Sequence, residues 1–169
     1  LWSGQALHDY PMVYNATAPN TVLYEAAVKK LLNNPENKNF IIVNCNSSDN
    51  RGKTFSHALT QELNQRSMHS KSLLLEDNDA AYENVLDPTQ ENFILLDDSS
   101  VRSLSIMMAR IKDFRQKYPT YNLSLIGYTE WLNETEKHLD NFFVANIYIA
   151  SPYYYNVLDE KNKEFQRTY

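Results

Sequence analysis

The chain has 169 residues, of which 43% are hydrophobic and 22% charged, and its formal net charge is -5. These values are typical of a single globular domain and argue against a disordered chain, a disulfide scaffold and a general nucleic-acid binder, which would carry a basic face. With only 3 Gly, the chain also lacks a dinucleotide-binding fingerprint, which needs three closely spaced glycines.

Five short apolar runs predict β-strands. Each has about four to six residues and ends in polar residues, and nearly continuous apolar strands are typical of a parallel sheet that is covered on both faces. In chain order the runs are 40–43, 72–75, 93–96, 123–126 and 146–149.

The stretches between the runs show the apolar spacing of helices. The first helix should start near Thr17 or Asn20, and the third near Asp98 or Ser99. A shorter helix is predicted around 131–139 and another at 158–169. The apolar positions of the first three are Leu23, Ala26, Ala27 and Leu31, then Phe55, Ala58, Leu59 and Leu63, then Val101, Leu104, Met108 and Ile111.

Alternation of strands and helices predicts an α/β fold with right-handed crossovers. We predict a three-layer α/β/α domain with about five parallel strands, and the order 2-1-3-4-5 follows if the first full strand lies in the middle of the sheet. The domain is expected to span 1–169 as a single lobe. No apolar run reaches the roughly 20 residues that a membrane helix needs, so we predict no membrane span in this chain.

Ligands of such sheets bind beyond the carboxyl ends of the strands. In this sequence those ends carry hydroxyls, amides, carboxylates and aromatic rings, which suit a small polar ligand or a glycan. The alternative is that Asp98, Ser99 and Ser48 simply cap helices. The predicted ligand-binding residues are Asn46, Ser47, Asp98, Ser99, Tyr128, Glu130, Trp131 and Tyr153.

An enzyme is the competing hypothesis. Residues 47–54 follow a strand and open a helix, as a phosphate-binding loop would, and Asp97 and Asp98 could lie near Mg²⁺. However, Ser47 stands where that loop needs Gly. The acidic pair is also reminiscent of a phosphoacceptor site, but 44–46 lack the acidic residues of such sites. We therefore predict no catalytic residue.

Metal and thiol chemistry are not indicated either. The four His residues are scattered, and none lies three or four residues from another, whereas a metal site needs converging ligands. The one cysteine, Cys45, has no His beside it in the sequence and is expected to be an inert thiol. We predict no metal and no cofactor.

Two stretches and two later aromatic residues carry more specific patterns. Residues 124–131 contain Gly-Tyr-x-Glu-Trp, residues 147–154 contain Ser-Pro-Tyr-Tyr, and Phe165 and Tyr169 follow. Together they resemble the second lobe of the type I periplasmic-binding family, the solute-binding receptors, from about residue 10 to the end. The likeness is to a Bacteroides-type branch in which such a domain follows a LysM peptidoglycan-binding module.

The resemblance implies a ligand-binding protein of the periplasm or cell envelope. In the family two lobes close on a ligand, so a partner lobe of the same protein is implied, with hinge-proximal segments at 10–15 and 151–156. An acidic residue in the loop after the fourth strand holds the ligand ammonium in amino-acid receptors of the family, and Glu130 has that place. The expected ligand is an amino acid, a peptide, a glycan fragment or another cell-wall component.

Two observations limit this expectation. The aromatic residues that such receptors carry after the first and third strands are replaced by residues 46–47 and 99–100. The chain starts at Leu1 without a signal peptide, and we expect it to be a piece of something longer. A protein-interaction scaffold on the same fold is the alternative function.

Overall fold

The computed structural model describes residues 19–132 and 145–151, in which helices and parallel strands alternate. The described residues up to Ala150 belong to one compact unit. In chain order the elements are α1 Asn20–Leu31, β1 Lys38–Asn44, α2 Asn50–Gln65, β2 Lys71–Leu74, α3 Asp79–Val85, β3 Glu91–Leu96, α4 Val101–Lys117, β4 Asn122–Tyr128, the 3-10 turn Thr129–Trp131 and β5 Asn146–Ala150.

The five strands form one parallel sheet in the order β2-β1-β3-β4-β5. In the central register Phe40 of β1 lies beside Phe93 of β3, which in turn lies beside Ser124 of β4. Helices flank the sheet, so the predicted α/β class, strand order and three-layer arrangement are confirmed. Among the described helices, none combines the length and apolar character that crossing a bilayer requires.

Burial of the strands depends on their place in the sheet. All residues of β3 after Glu91 and all residues of β4 after Asn122 are buried, as expected for central strands with both faces covered. In the edge strand β2 only Leu73 is buried, and in the edge strand β5 exposed and half-buried positions alternate up to the buried Ala150. The expectation that every run is covered on both faces is therefore wrong for these two strands.

The first helix, α1, starts at Asn20, one of the two predicted positions, but two helix caps differ from the prediction. Ser100, not Asp98 or Ser99, caps α4, and Asp49 rather than Ser48 caps α2. The helix α3 was not predicted, because seven residues are too few to show a helical period. The predicted helices at 131–139, beyond residue 132, and at 158–169 lie outside the described residues, as do hinge-proximal residues 10–15 and 152–156.

Aromatic side chains dominate the core on one side of the sheet. The rings of Tyr24 in α1 and Phe55 in α2 stack with centroids 4.3 Å apart. The ring of Tyr128 meets both edge-on, at 6.1 and 5.7 Å. These contacts fix α1 and α2 against the end of β4, and edge-to-face pairs of this kind add to the hydrophobic effect of burial.

A buried amide network ties together the opposite, amino-terminal edge of the sheet. Asn92 is completely buried, and its Oδ1 accepts hydrogen bonds from Asn39 Nδ2 at 2.8 Å and from the Asp87 N–H at 2.7 Å. Its Nδ2 donates to the carbonyls of Asp87, Gln90 and Asn122 at 2.8, 3.2 and 3.1 Å. One side chain therefore joins β1, β3, β4 and the loop before β3.

We expect Asn92→Leu to lower the free energy of unfolding by about 2–4 kcal/mol, because the Asn39 amide and the Asp87 N–H each lose an acceptor and three carbonyls lose a donor. Urea denaturation checks this. Asn122→Ala is the matched control: it removes an exposed amide from the same edge but keeps the carbonyl that Asn92 uses, so a change within about 0.5 kcal/mol is expected. Equal losses in the two variants would contradict the role of the network.

Candidate functional site

A cleft of about 700 Å³ lies at the carboxyl edge of the sheet. We call it the strand-end cleft. The loops that follow β1, β2 and β3 form three sides of it, and the beginning of α4 forms the fourth. Its lining consists of residues 45–47, Leu75, Glu76, Asp98 and Ser100, with Arg102, Ser103, Ile106 and Arg110 on α4.

Asp98 is the most constrained carboxylate of the cleft. Its Oδ2 accepts hydrogen bonds from the hydroxyls of Ser103 at 2.6 Å and Ser100 at 2.7 Å, and its Oδ1 accepts the Ser100 N–H at 3.2 Å. Burial disfavours the charged form, but the hydrogen bonds outweigh burial and hold the pKa of Asp98 below its usual value. Asp98 thus organises the start of α4 as an ionised acceptor.

The neighbouring Asp97 fastens the loop after β1. Its Oδ1 accepts the Cys45 N–H at 2.7 Å. The next residue, Asn46, has a left-handed backbone with φ of 51°, which Asn tolerates better than most residues, and its N–H donates to Asn44 Oδ1 at 2.8 Å. Burial raises the pKa of the Cys45 thiol to about 12, so a reactive thiolate does not form near neutral pH.

A third carboxylate, Asp49, occupies the N-terminus of α2. Its Oδ1 accepts the Arg51 N–H at 3.1 Å, and its Oδ2 accepts the Ser99 N–H at 2.7 Å. Burial opposes its charge, but hydrogen bonds from Ser99 and Arg51 keep the pKa of Asp49 below its usual value. A phosphate at this helix start would face this carboxylate, so the geometry argues against the phosphate-loop hypothesis.

Three of the predicted site residues are buried in the core. Tyr128 and Trp131 are 0% exposed and Ser99 is 3% exposed. The Tyr128 hydroxyl donates to the Leu96 carbonyl, and Trp131 Nε1 donates to the Ser99 carbonyl at 2.9 Å. The expectation that these residues line an accessible wall is corrected: they form two buried hydrogen bonds, one between the ends of β4 and β3 and one between the turn after β4 and the loop after β3.

Gly127 explains why Trp131 turns inward. A Cβ at this position would lie 2.5 Å from the Trp131 ring, so only glycine leaves room for the indole on this face of β4. The 3-10 turn that follows β4 brings the ring back over the strand. In this structure the Gly-Tyr-x-Glu-Trp pattern is thus largely a packing arrangement.

Glu130 of the same pattern lies outside the strand-end cleft. Its carboxylate forms an ion pair with Arg51 of α2, and the two side chains are 42% and 45% exposed. An exposed pair of this kind contributes about 0–1 kcal/mol to stability. Because Arg51 already neutralises Glu130, the structure gives no support to its expected role as the ammonium ligand.

The cleft therefore brings together only part of the predicted set. Asn46, Ser47 and Asp98 line it, whereas Tyr153 lies outside the described residues. The sequence interpretation missed Arg102 and Arg110. Their spacing of eight residues, with Ile106 midway, places all three on one face of α4, and this helical period was the signal that could have found them.

Neither the models of protein families nor the curated proteins compared with the chain gave a match. The resemblance to the periplasmic-binding family thus rests on the sequence patterns. Within the described residues, no group of three or more His, Cys, Asp and Glu side chains is placed to hold a metal ion.

The N-terminal turn of α2 packs directly on the chain that leaves β3. Gly52 is buried, and a Cβ there would lie 2.0 Å from the Asp97 carbonyl oxygen and 2.5 Å from the Asp98 nitrogen. Both contacts are with backbone atoms, which cannot rotate away as a side chain could. The position of the two carboxylates that follow β3 therefore depends on the missing side chain of Gly52.

We expect Gly52→Ala to lower the free energy of unfolding by about 1–3 kcal/mol, because the overpacked backbone outweighs the better helix propensity of alanine. Denaturant titration followed by circular dichroism measures the change. Asn50→Ala, in the same turn but exposed, should change stability by less than about 0.5 kcal/mol. A Gly52→Ala protein as stable as the parent would contradict the close approach.

Asp98→Asn should destabilise the protein in a pH-dependent manner. The folded-state pKa of Asp98 is lowered, so its stabilising contribution is present above the unfolded-state pKa of about 4 and is lost as the pH falls through the folded value. The stability difference between parent and variant should thus be largest near neutral pH and shrink in acid. Urea titrations at several pH values test this. Asp113→Asn, exposed on α4, should have little effect at neutral pH.

Proposed function

We propose that this chain is a non-catalytic ligand-binding lobe of an extracytoplasmic solute-binding or cell-envelope receptor-like protein. The observation that supports the proposal is the strand-end cleft. It lies beside β1 and β3, where the chain connections leave in opposite directions, and this switch point is where open parallel sheets bind their ligands. A link to peptidoglycan, through a LysM module of the same protein, is part of the proposal.

The chemistry of the cleft favours binding over reaction. The carboxylate oxygens of Asp97 and Asp98 accept hydrogen bonds from the protein itself, so neither is arranged as a free general base. The Cys45 thiol, with a pKa of about 12, is a poor nucleophile. What remains for a ligand is a set of hydroxyl, amide and guanidinium groups, with the exposed Glu76 carboxylate at the border of the cleft. Groups of this kind orient a small polar molecule.

A two-lobed receptor places half of its ligand contacts on each lobe. On this proposal the strand-end cleft contacts one side of the ligand, and the partner lobe closes over the other side in a hinge motion. A lobe measured by itself should therefore bind more weakly than the whole receptor. The chain by itself should still show which solutes bind to the strand-end cleft.

A second candidate function, a protein-interaction scaffold, is favoured by one surface feature. An apolar groove of about 300 Å³ lies between α1 and β5, and in it Tyr148 is 44% exposed, with its ring 5.4 Å from that of Phe93. Exposed apolar surface of this kind is typical of interaction sites. On the scaffold hypothesis the strand-end cleft would bind no solute.

A solute screen of the parent chain, repeated with a variant whose cleft is filled by a larger side chain, tests the proposal. Amino acids, monosaccharides and muropeptides are titrated into the chain and followed by nitrogen–proton correlation spectra. We expect at least one to shift signals of residues 45–47 and 98–103. Ile106→Trp should abolish these shifts, because a large ring would fill a cleft that Ile106 now borders.

Ser105→Trp is the matched control, since it puts the same ring on the adjacent, exposed position of α4 outside the cleft lining. It should leave binding unchanged. No signal shift with any solute, or equal loss of binding in both tryptophan variants, would contradict the proposed function and favour the scaffold.

A further inference from the structure

We propose that the strand-end cleft recognises a small hydroxylated solute through an oxyanion group, a carboxylate or a phosphate, with Arg110 as the anchor and Arg102 as the second cation. This inference rests on the proposed function and specifies its ligand class. It starts from the two residues of the cleft that the sequence interpretation did not include.

Three contacts position the Arg110 guanidinium but do not use all of its N–H donors. Its guanidinium lies 4.5 Å from the centroid of the Tyr82 ring, and Nη2 donates to the Leu75 carbonyl at 3.3 Å. The contact of Nη1 with Asp79 is long, at 3.5 Å, and Asp79 is 77% exposed. A guanidinium has five N–H donors in a rigid fork, so this one is both positioned and able to bind an anion.

The side chain of Arg110 is 23% exposed, which is enough for a ligand in the cleft to reach it. The cation–π contact with Tyr82 removes part of the rotational freedom that a surface arginine would lose on binding. Carboxylates and phosphates are the groups that match the arginine fork bidentately. Preorganisation and geometry therefore both favour an oxyanion at Arg110.

The acidic residues of the cleft do not cancel this preference. Asp98 keeps its charge, but its oxygens accept three hydrogen bonds from Ser100 and Ser103, and the dipoles of these donors offset part of its field. The other acid, Glu76, is exposed to solvent, where its field is screened. Arg102 adds a second cation two turns before Arg110 on the same face of α4.

The remaining polar groups of the cleft suit hydroxyls next to the oxyanion. Ser47 and Asn46 border the cleft from the loop after β1. Hydroxyl and amide groups can donate to or accept from a sugar-like hydroxyl. The predicted ligand thus carries one anionic group and several hydroxyls.

Four solutes that share the glucose ring but differ in charge separate the contribution of the anionic group from that of the hydroxyls: glucuronate, glucose 6-phosphate, glucose and glucosamine. Isothermal titration with the full chain should show that glucuronate or glucose 6-phosphate binds at least about tenfold more tightly than glucose and glucosamine, as one charge-assisted pair would give. Which of the two anions binds more tightly tells a carboxylate ligand from a phosphate ligand.

Arg110→Gln and Arg102→Gln should each reduce the preference for the anionic ring, and their effect should weaken as salt is added. Arg110→Lys, which keeps the charge but loses the fork, should retain part of it. Lys112→Gln removes one charge from an exposed position of α4 outside the cleft and should leave the preference intact. Circular dichroism confirms that each variant is folded.

The inference is overturned if glucosamine or glucose binds as tightly as the anions, if Lys112→Gln has the same effect as the arginine variants, or if none of the four rings binds at millimolar concentration. Neutral or cationic solutes that shift the cleft signals and are blocked by Ile106→Trp would then leave the proposed function standing. If no solute of the screen shifted a signal, both this inference and the proposed function would be contradicted.

Discussion

Carboxylates that accept backbone N–H groups from neighbouring loops hold the carboxyl edge of this sheet together. Asp97 accepts from Cys45, Asp49 accepts from Ser99, and Asp98 accepts from Ser100. The first two bonds run between the loop after β1 and the loop after β3, and the third lies within the latter. Because charge-assisted hydrogen bonds are stronger than neutral ones, the loops that form the strand-end cleft are fixed before any ligand arrives.

This constraint separates positioning residues from residues that are available for binding. A carboxylate whose oxygens are already used stabilises the loop but offers little to a solute, as Asp98 illustrates. The residues left for a ligand lie around the carboxylates: Asn46, Ser47 and Arg110 among them. The acidic residues that first suggest an active site in the sequence are therefore the ones that build the cleft walls.

The fold class could be predicted from the sequence because each strand was a separate apolar run. The strand order needed one more assumption, that the first strand lies in the middle of the sheet, and the structure confirms that order. The short helix α3 could not be predicted, since its 7 residues span about two turns and are too few to show a helical spacing of apolar residues. Helix caps were misplaced by one or two residues, because several adjacent polar residues can all cap and the direction of the chain leaving the strand decides among them, as at Ser100 and Asp49.

The candidate site was predictable to the extent that a strand end must lie at the sheet edge, which is true of Asn46 and Asp98. The site was not predictable where burial depends on the space beside a glycine. The Trp131 ring fits inward because Gly127 has no side chain, and Trp131 donates a hydrogen bond to the Ser99 carbonyl, so both residues are buried. Arg110 was missed because it reaches the edge from within a helix.

The burial of Trp131 also changes what the family resemblance can imply. Gly127, Tyr128 and Trp131 belong to one of the two more specific patterns of that resemblance, and here they pack β4 against its neighbours. A packing pattern can be shared by lobes that bind different ligands, because fold and ligand are set by different residues. The remaining member, Glu130, is paired with Arg51. On the proposed function, the residues that select a ligand are therefore those of the strand-end cleft, which Arg102 and Arg110 of α4 line, and not the Gly-Tyr-x-Glu-Trp pattern.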